Sequence, residues 1–546
     1  MAIGIDATTR SITHASSEAI EISMQIRSES MPVHVRDTRL NRVVKSIPLA
    51  AALLALMTGG CWSNAIASTP VKPPPAAVHP TLPNGTPVTL TIESAVAGAA
   101  SLSPASSGLS FEKAQLSTGL FSGDNRSLIA LFRQLGPGVL RIGGNSVNKT
   151  TWDDSKDPGG QGMTPGHIAP SDVDRLADFL NATGWRVIYG INFATESATQ
   201  MSSEAAYVTR KLGSRLAGLE LGNEPDLYTH NGLRPSTYTF NQFLDEWRTD
   251  ARATQSSGRN PALTGPASSY NFMHYTIPFA QNIGGGIQLL TQHYYTNSSC
   301  PNSATGYAPS IPGMLAADPR LPGELQALVR AASDNGVSGG ARMDEANSFY
   351  SCPHLSGAPG VSNAFASALW AVDFLFTNAR YGMRGVNFHS GNTAYYSPIQ
   401  THAAAVTSVQ PEYYGLWLFG QAVDLSSGTL LETRIDMSVQ PPLPITAYDV
   451  LAQDGSHRVL ILNESASDGD VTVQHLPPNA TRAALLRLSS TGGLSDIAAA
   501  DVSVNGAHLS TDGTWDSPPT PTTQPVSNGS MTVHVAAGSA LLAIVR

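Results

Sequence analysis

Short apolar runs recur through the middle of the chain. Between them lie stretches whose apolar positions return every three or four residues. The strand-like runs are 109–114, 139–145, 186–192, a fourth ending at Glu224, a weaker one at 262–266, then 287–295, one ending at Glu345, and 385–389. Helical periodicity fills the gaps, for instance over 172–182, which opens after Ser171 and closes at Gly184, and over 238–255. Eight strand–helix units predict a (β/α)8 TIM barrel over 108–424, in the α/β class. An open doubly wound sheet is the competing arrangement. It would need a phosphate-cradling loop, and Gly143-Gly144 is a poor one.

Past residue 424 the period changes to two. Alternating runs at 457–463, 470–473, 483–488, 531–535 and 540–545 are separated by Gly and Asn turns and predict a C-terminal antiparallel β-sandwich over 425–546. The run Val88-Thr89-Leu90-Thr91-Ile92 alternates in the same way, so 88–107 is expected to lend a strand to that sandwich. Ahead of it, Arg39, Arg42 and Lys45 precede the apolar run 47–57 and then small residues. This is the order of an export signal, within an amino-terminal segment 1–67. Met31 offers an alternative start, Ala65-Ile66-Ala67 a cleavage site, and Gly60-Cys61 a lipid-attachment site. Prolines crowd 68–87 and predict a stiff extended linker.

Composition narrows the partners. The net charge is −9, only 13% of residues are charged, and the body carries no basic cluster, which argues against nucleic acid. No contact with a membrane is expected beyond a lipid at Cys61. There are 3 cysteines and no Cys-x-x-Cys, so no zinc motif is present and no metal or cofactor is expected. After export processing, Cys300 and Cys352 remain as a pair in an oxidising compartment, and a disulfide between them is expected.

The chemistry-bearing stretches are Leu219-Glu220-Leu221-Gly222-Asn223-Glu224-Pro225-Asp226 and Ala341-Arg342-Met343-Asp344-Glu345-Ala346-Asn347-Ser348. Proline lacks an amide donor and ends the first strand, so Asn223 and Glu224 fall at its carboxyl end. In a barrel the carboxyl ends of strands four and seven open onto one mouth. Two carboxyl groups about 5 Å apart there are what retaining glycoside hydrolysis requires, one giving a proton to the leaving oxygen while the other attacks the anomeric carbon.

These motifs, with Leu109-Ser110-Phe111-Glu112-Lys113, Leu140-Arg141-Ile142-Gly143-Gly144-Asn145-Ser146, His293-Tyr294-Tyr295 and Phe388-His389-Ser390-Gly391-Asn392, resemble glycoside hydrolase family 79, the β-glucuronidases and heparanases of the retaining clan A. The resemblance covers about 88–546. It implies that Glu224 is the acid/base and Glu345 the nucleophile. It also implies that Asn223 donates to the sugar 2-hydroxyl, and that Glu112, Asn145, His293 and Tyr294 contact the sugar. In that family tyrosine hydroxyls and a backbone amide hold the uronate carboxylate, and Tyr350, Gly391 and Tyr395 match those positions, with Tyr396 competing for the last. The activity implied is an exported, retaining exo-β-glucuronidase acting on a carbohydrate substrate. The alternatives are another clan A activity (β-glucosidase, β-xylosidase or arabinofuranosidase) and a catalytically silent glycan-binding surface protein.

Overall fold

The computed structural model describes residues 85–155, 166–256, 260–352 and 356–546. The segment read as an export signal, Cys61 and nearly all of the proline-rich stretch lie outside them. No helix among the described residues is long and apolar enough to cross a membrane.

Eight parallel strands close into a barrel: β1 (Ser107–Glu112), β2 (Val139–Gly143), β3 (Arg186–Ile191), β4 (Leu216–Leu221), β5 (Leu263–Ser268), β6 (Leu289–Ser298), β7 (Ala341–Tyr350) and β8 (Val386–His389). Each pairs with its neighbours in chain order, and β8 returns to pair with β1. The strands are almost wholly buried, as expected where helices cover the outer face and side chains fill the inner one. All eight predicted runs become barrel strands.

Helix starts differ from the predicted ones by a residue or two. The helix expected after Ser171 is Pro170–Thr183, because proline is preorganised for the first helical position and the Asp172 carboxylate accepts the Ala169 amide hydrogen at 2.9 Å. Its far end is Gly184 in the left-handed conformation, as read from the sequence.

The C-terminal strands form one ten-stranded sheet rather than two separate sheets. Thr86–Ala95 sits inside it, antiparallel to Gly428–Met437 and parallel to Gly469–Gln474. Side chains from both ends of the sheet, among them Leu90, Ile461, Leu541, Val471 and Val533, meet in a single apolar core, which makes the sheet a sandwich with itself. Its other face packs on the barrel. Tyr448 stacks on Phe376 of the helix Ala366–Arg380, ring centroids 4.3 Å apart, and its hydroxyl donates to Asp373 at 2.5 Å. Helices Ala366–Arg380 and Pro411–Ala422 are therefore covered on nearly every side.

Candidate active site

Backbone irregularities at three strand ends aim the side chains of the barrel mouth. Beyond β4 the chain turns at Gly222 (φ 82°) and Glu224 (φ 50°) before the short helix Pro225–Leu227. A left-handed conformation is uncommon for glutamate and is held here by the Glu224 amide, which donates to the Ala267 carbonyl at 2.9 Å. In β7 the ladder slips between Met343 and Glu345, with Met343 opposite Gln292 and Glu345 opposite His293. This bulge lets two consecutive acids, Asp344 and Glu345, both turn inward.

They converge on Arg141, a fully buried arginine on the inner face of β2. Its Nη1 lies 2.7 Å from Glu345 Oε2, its Nε 2.7 Å from Glu220 Oε2 and 2.9 Å from Asp344 Oδ2, and its Nη2 donates to Asn223 Oδ1 at 2.9 Å. Burial works against the charge of Arg141, but these carboxylates outweigh it and keep the guanidinium charged. Burial also pushes the Glu345 carboxyl up, yet His389, His293 and Arg141 and the Tyr295 hydroxyl more than reverse this and hold it well below the usual carboxylate range. Tyr295 donates to Glu345 Oε1 at 3.0 Å, and its own hydroxyl is pushed up by burial and by that charge, so it remains a donor. Burial and Glu220 push Asp344 the other way, well above its ordinary range.

Glu224 faces Glu345 across the mouth. His293 lies between them, its Nδ1 3.1 Å from Glu224 Oε1, and one ligating atom from each of the three falls within 4.8 Å of the others. This is the only such grouping that could hold a metal among the described residues. The charges of Glu345 and Asp344 and the contact with Glu224 outweigh burial and push His293 up to about 9.

A cavity of about 1270 Å³ opens above these groups, larger than the usual site for one small ligand. Of the residues expected from the sequence, Glu112, Asn145, Glu224, Glu345, Tyr350, Gly391 and Tyr395 line it. Glu112 accepts the Asn145 and Ser146 amide hydrogens at 3.2 and 2.7 Å; a side chain at Gly144 (φ 72°) would strike its carboxylate. Asn223 is almost fully buried and does not line the cavity; its oxygen accepts from Arg141 and its amide nitrogen has no partner. Cys300 and Cys352 form the expected disulfide (Cα–Cα 5.1 Å) just past the ends of β6 and β7 and next to Tyr350.

Three expectations need correction. Tyr294 does not face the mouth. Side chains alternate along β6, so with His293 and Tyr295 inward Tyr294 points outward, stacking on Phe374 (5.0 Å) with its hydroxyl donating to Asp318 at 3.2 Å. His293 is almost fully buried and reaches Glu224 rather than the cavity. The Gly391 amide donates to the Ile399 carbonyl at 3.0 Å and is not free to hold a ligand.

The curated relatives found by sequence are two fungal proteins described as β-glucuronidases. The one from Aspergillus niger is 26% identical over 371 residues, 61% of this chain and 65% of that protein. The one from Neurospora crassa is 22% identical over 402 residues, 64% of this chain and 69% of that protein. The match thus spans just under two thirds of the first. No protein-family model matches. Among solved structures, a 4-O-α-L-rhamnosyl-β-D-glucuronidase from Fusarium oxysporum superposes with TM-score 0.66 at 17% identity, covering 83% of this chain and 99% of that one. A GH51 arabinofuranosidase from Xanthomonas axonopodis superposes with TM-score 0.57 at 16% identity, covering 84% and 100%.

By sequence the chain is similar to these fungal β-glucuronidases, in keeping with the resemblance to family 79, and by fold to glycoside hydrolases of known structure.

Several residues of this family-79-like site escaped the sequence reading. Arg141 and Glu220 lay inside quoted motifs without a role, although a charged residue in the middle of an apolar strand is itself a signal. Asp344 was passed over beside Glu345, and Tyr295 beside Tyr294. His389 lies 3.7 Å from Glu345 and 3.8 Å from Glu112, while Tyr396, which the sequence offered only as a competitor of Tyr395, has its ring 5.9 Å from that of Tyr295. Both line the cavity.

Proposed function

We propose that the protein is a retaining exo-β-glucuronidase, removing terminal β-linked glucuronic acid from glycans or glycosides. The observation that carries the reading is the pair Glu224 and Glu345, with carboxylate oxygens within 4.8 Å of each other at one cavity and Glu345 held ionised by Arg141, His389, His293 and Tyr295. Retaining enzymes keep their two carboxyl groups about 5 Å apart, whereas inverting ones leave room for a water.

In the first step Glu345 attacks the anomeric carbon while Glu224 gives its proton to the glycosidic oxygen. The carbon–oxygen bond to the leaving group breaks and an ester to Glu345 forms. In the second step Glu224 takes a proton from water, the water oxygen attacks the same carbon, and the ester releases Glu345 as a carboxylate. The Asn223 amide would donate to the 2-hydroxyl, a contact that strengthens as positive charge develops on the ring.

The choice of glucuronate rests on the names of the two curated relatives and on the tyrosines at the cavity. No lysine or arginine lines the cavity among the described residues, while Glu112, Glu224, Asp226 and Glu345 do. With no lysine or arginine there, Tyr350, Tyr395 and Tyr396 supply hydroxyl donors for a substrate carboxylate. The Cys300–Cys352 disulfide supports export to an oxidising compartment. The test is hydrolysis of a panel of aryl β-glycosides by the wild type, Glu224→Gln and Glu345→Gln. Turnover of the glucuronide, lost in both variants, is expected. Turnover of only the glucoside or xyloside would overturn the glucuronate assignment.

A further inference from the structure

Around the barrel, β4 and β5 stand opposite β8 and β1. The cavity walls divide accordingly. The tyrosines able to hold a uronate come from the ends of β7 and β8. The opposite wall comes from the loops after β4 and β5: Leu227, Thr229 and His230 on the first, Ser269 and Tyr270 on the second. Glu224 belongs to this second wall, and an acid that protonates the leaving oxygen has to stand on the leaving group's side. Tyr270 is 72% exposed, the most exposed large hydrophobic side chain among the described residues, and yet it lines the cavity. Its loop is tied down at the base. The Ser269 amide donates to Asp226 Oδ1 at 2.9 Å, and the Gln292 amide nitrogen donates to the Ser268 and Ser269 carbonyls at 3.0 Å. A bare aromatic face on an anchored loop beside the acid has no packing role within the fold.

We propose that Tyr270, with Leu227 beside it, is the platform on which the leaving group lies. It selects leaving groups with a flat, uncharged face, whether an aryl ring or the apolar face of a neutral sugar. Aromatic rings stack on such faces and have little to offer an anion. No lysine or arginine stands among the described lining residues, so a sulfated or uronate leaving group finds no such cation to pair with on this wall. This inference rests on the glycosidase reading above.

The test compares kcat/KM for an aryl β-glucuronide and for a glucuronyl–neutral-sugar disaccharide with that for β-glucuronyl fluoride, whose leaving group has no face to stack. Both ratios should fall about tenfold in Tyr270→Ala, the size of a stacking contact of roughly 1.4 kcal/mol, and be restored in Tyr270→Phe. A fall in only one ratio would assign the platform to that class of leaving group. Unchanged ratios, or a sulfated disaccharide cleaved as well as the neutral one, would overturn the proposal. If the wild type turns over no glucuronide, it is the glucuronidase reading that fails. The platform is then judged by the same ratio on whichever glycosyl fluoride the enzyme accepts.

Discussion

Glu112 and Lys113 are consecutive in the chain and belong to two different charged clusters. Glu112 turns into the cavity, toward His389, with Arg141, Glu345 and His293 beneath it. Lys113 turns outward into the layer between barrel and helices. There its ammonium lies 2.7 Å from Glu204 of the helix Ala198–Leu212 and 5.2 Å from the centre of the Tyr189 ring. Tyr189 donates to Glu204 at 2.7 Å, and the nearby Glu196, which accepts the Trp152 amide, is pushed up to about 7 by burial first and then by Glu204. Lys113 and Glu204 are as deeply buried as Arg141 and Glu220. Burial of charge therefore does not mark a reactive site. In the outer cluster every charge faces another within the fold. In the inner one Glu224 and Glu345 also face open space.

Replacing one residue in each cluster should separate catalysis from stability. If the proposed covalent route holds, Glu345→Gln should lower kcat/KM by at least about 10⁴-fold while leaving the fold intact. Wild-type-like turnover by that variant would place the chemistry elsewhere. Lys113→Met should lower stability by about 3–5 kcal/mol, because Glu204 is left as an uncompensated buried charge, with kcat per folded molecule unchanged. Adding Glu204→Gln should recover much of the loss in a denaturant titration. No recovery would mean that the lysine acts through packing.

Smaller effects sharpen the inner cluster. Tyr350→Phe should raise KM for a glucuronide about tenfold and leave a neutral glycoside unaffected, as expected for one hydrogen bond to a charged group. Equal effects on both substrates would reduce Tyr350 to a wall. His293 sets a pH signature. Its pKa in the fold, about 9, is above the ordinary histidine value, so its charge contributes stability that is complete at pH 6 and lost as pH rises through 9. His293→Gln should flatten that alkaline decline. A decline identical to that of the wild type would assign it to another group.

The barrel was legible in the sequence because each strand is a compact apolar run and the helices between them keep their period. The strand at Thr86–Ala95 was legible for the same reason, by its alternation. The meeting of Glu224 and Glu345 at one mouth was legible, because proline fixes the end of the first strand and a barrel brings the ends of strands four and seven together. It was least legible where a single residue decides which face a side chain takes. Tyr294 and Tyr295 differ only by the parity of β6, and no composition signal fixes parity. The β7 bulge that turns Asp344 inward beside Glu345 comes from pairing with β6, which is invisible along one strand. The Gly391 amide was misjudged because its partner, Ile399, lies across a turn whose closure the sequence does not reveal.

The most direct measurement of the Glu224–Glu345 account is the anomeric form of the sugar first released from an aryl β-glucuronide, followed by proton NMR before mutarotation. Appearance of β-glucuronic acid first is the predicted result, since two displacements at the same carbon restore its configuration. Appearance of the α anomer first would mean a single displacement by water, and would contradict the covalent role assigned to Glu345.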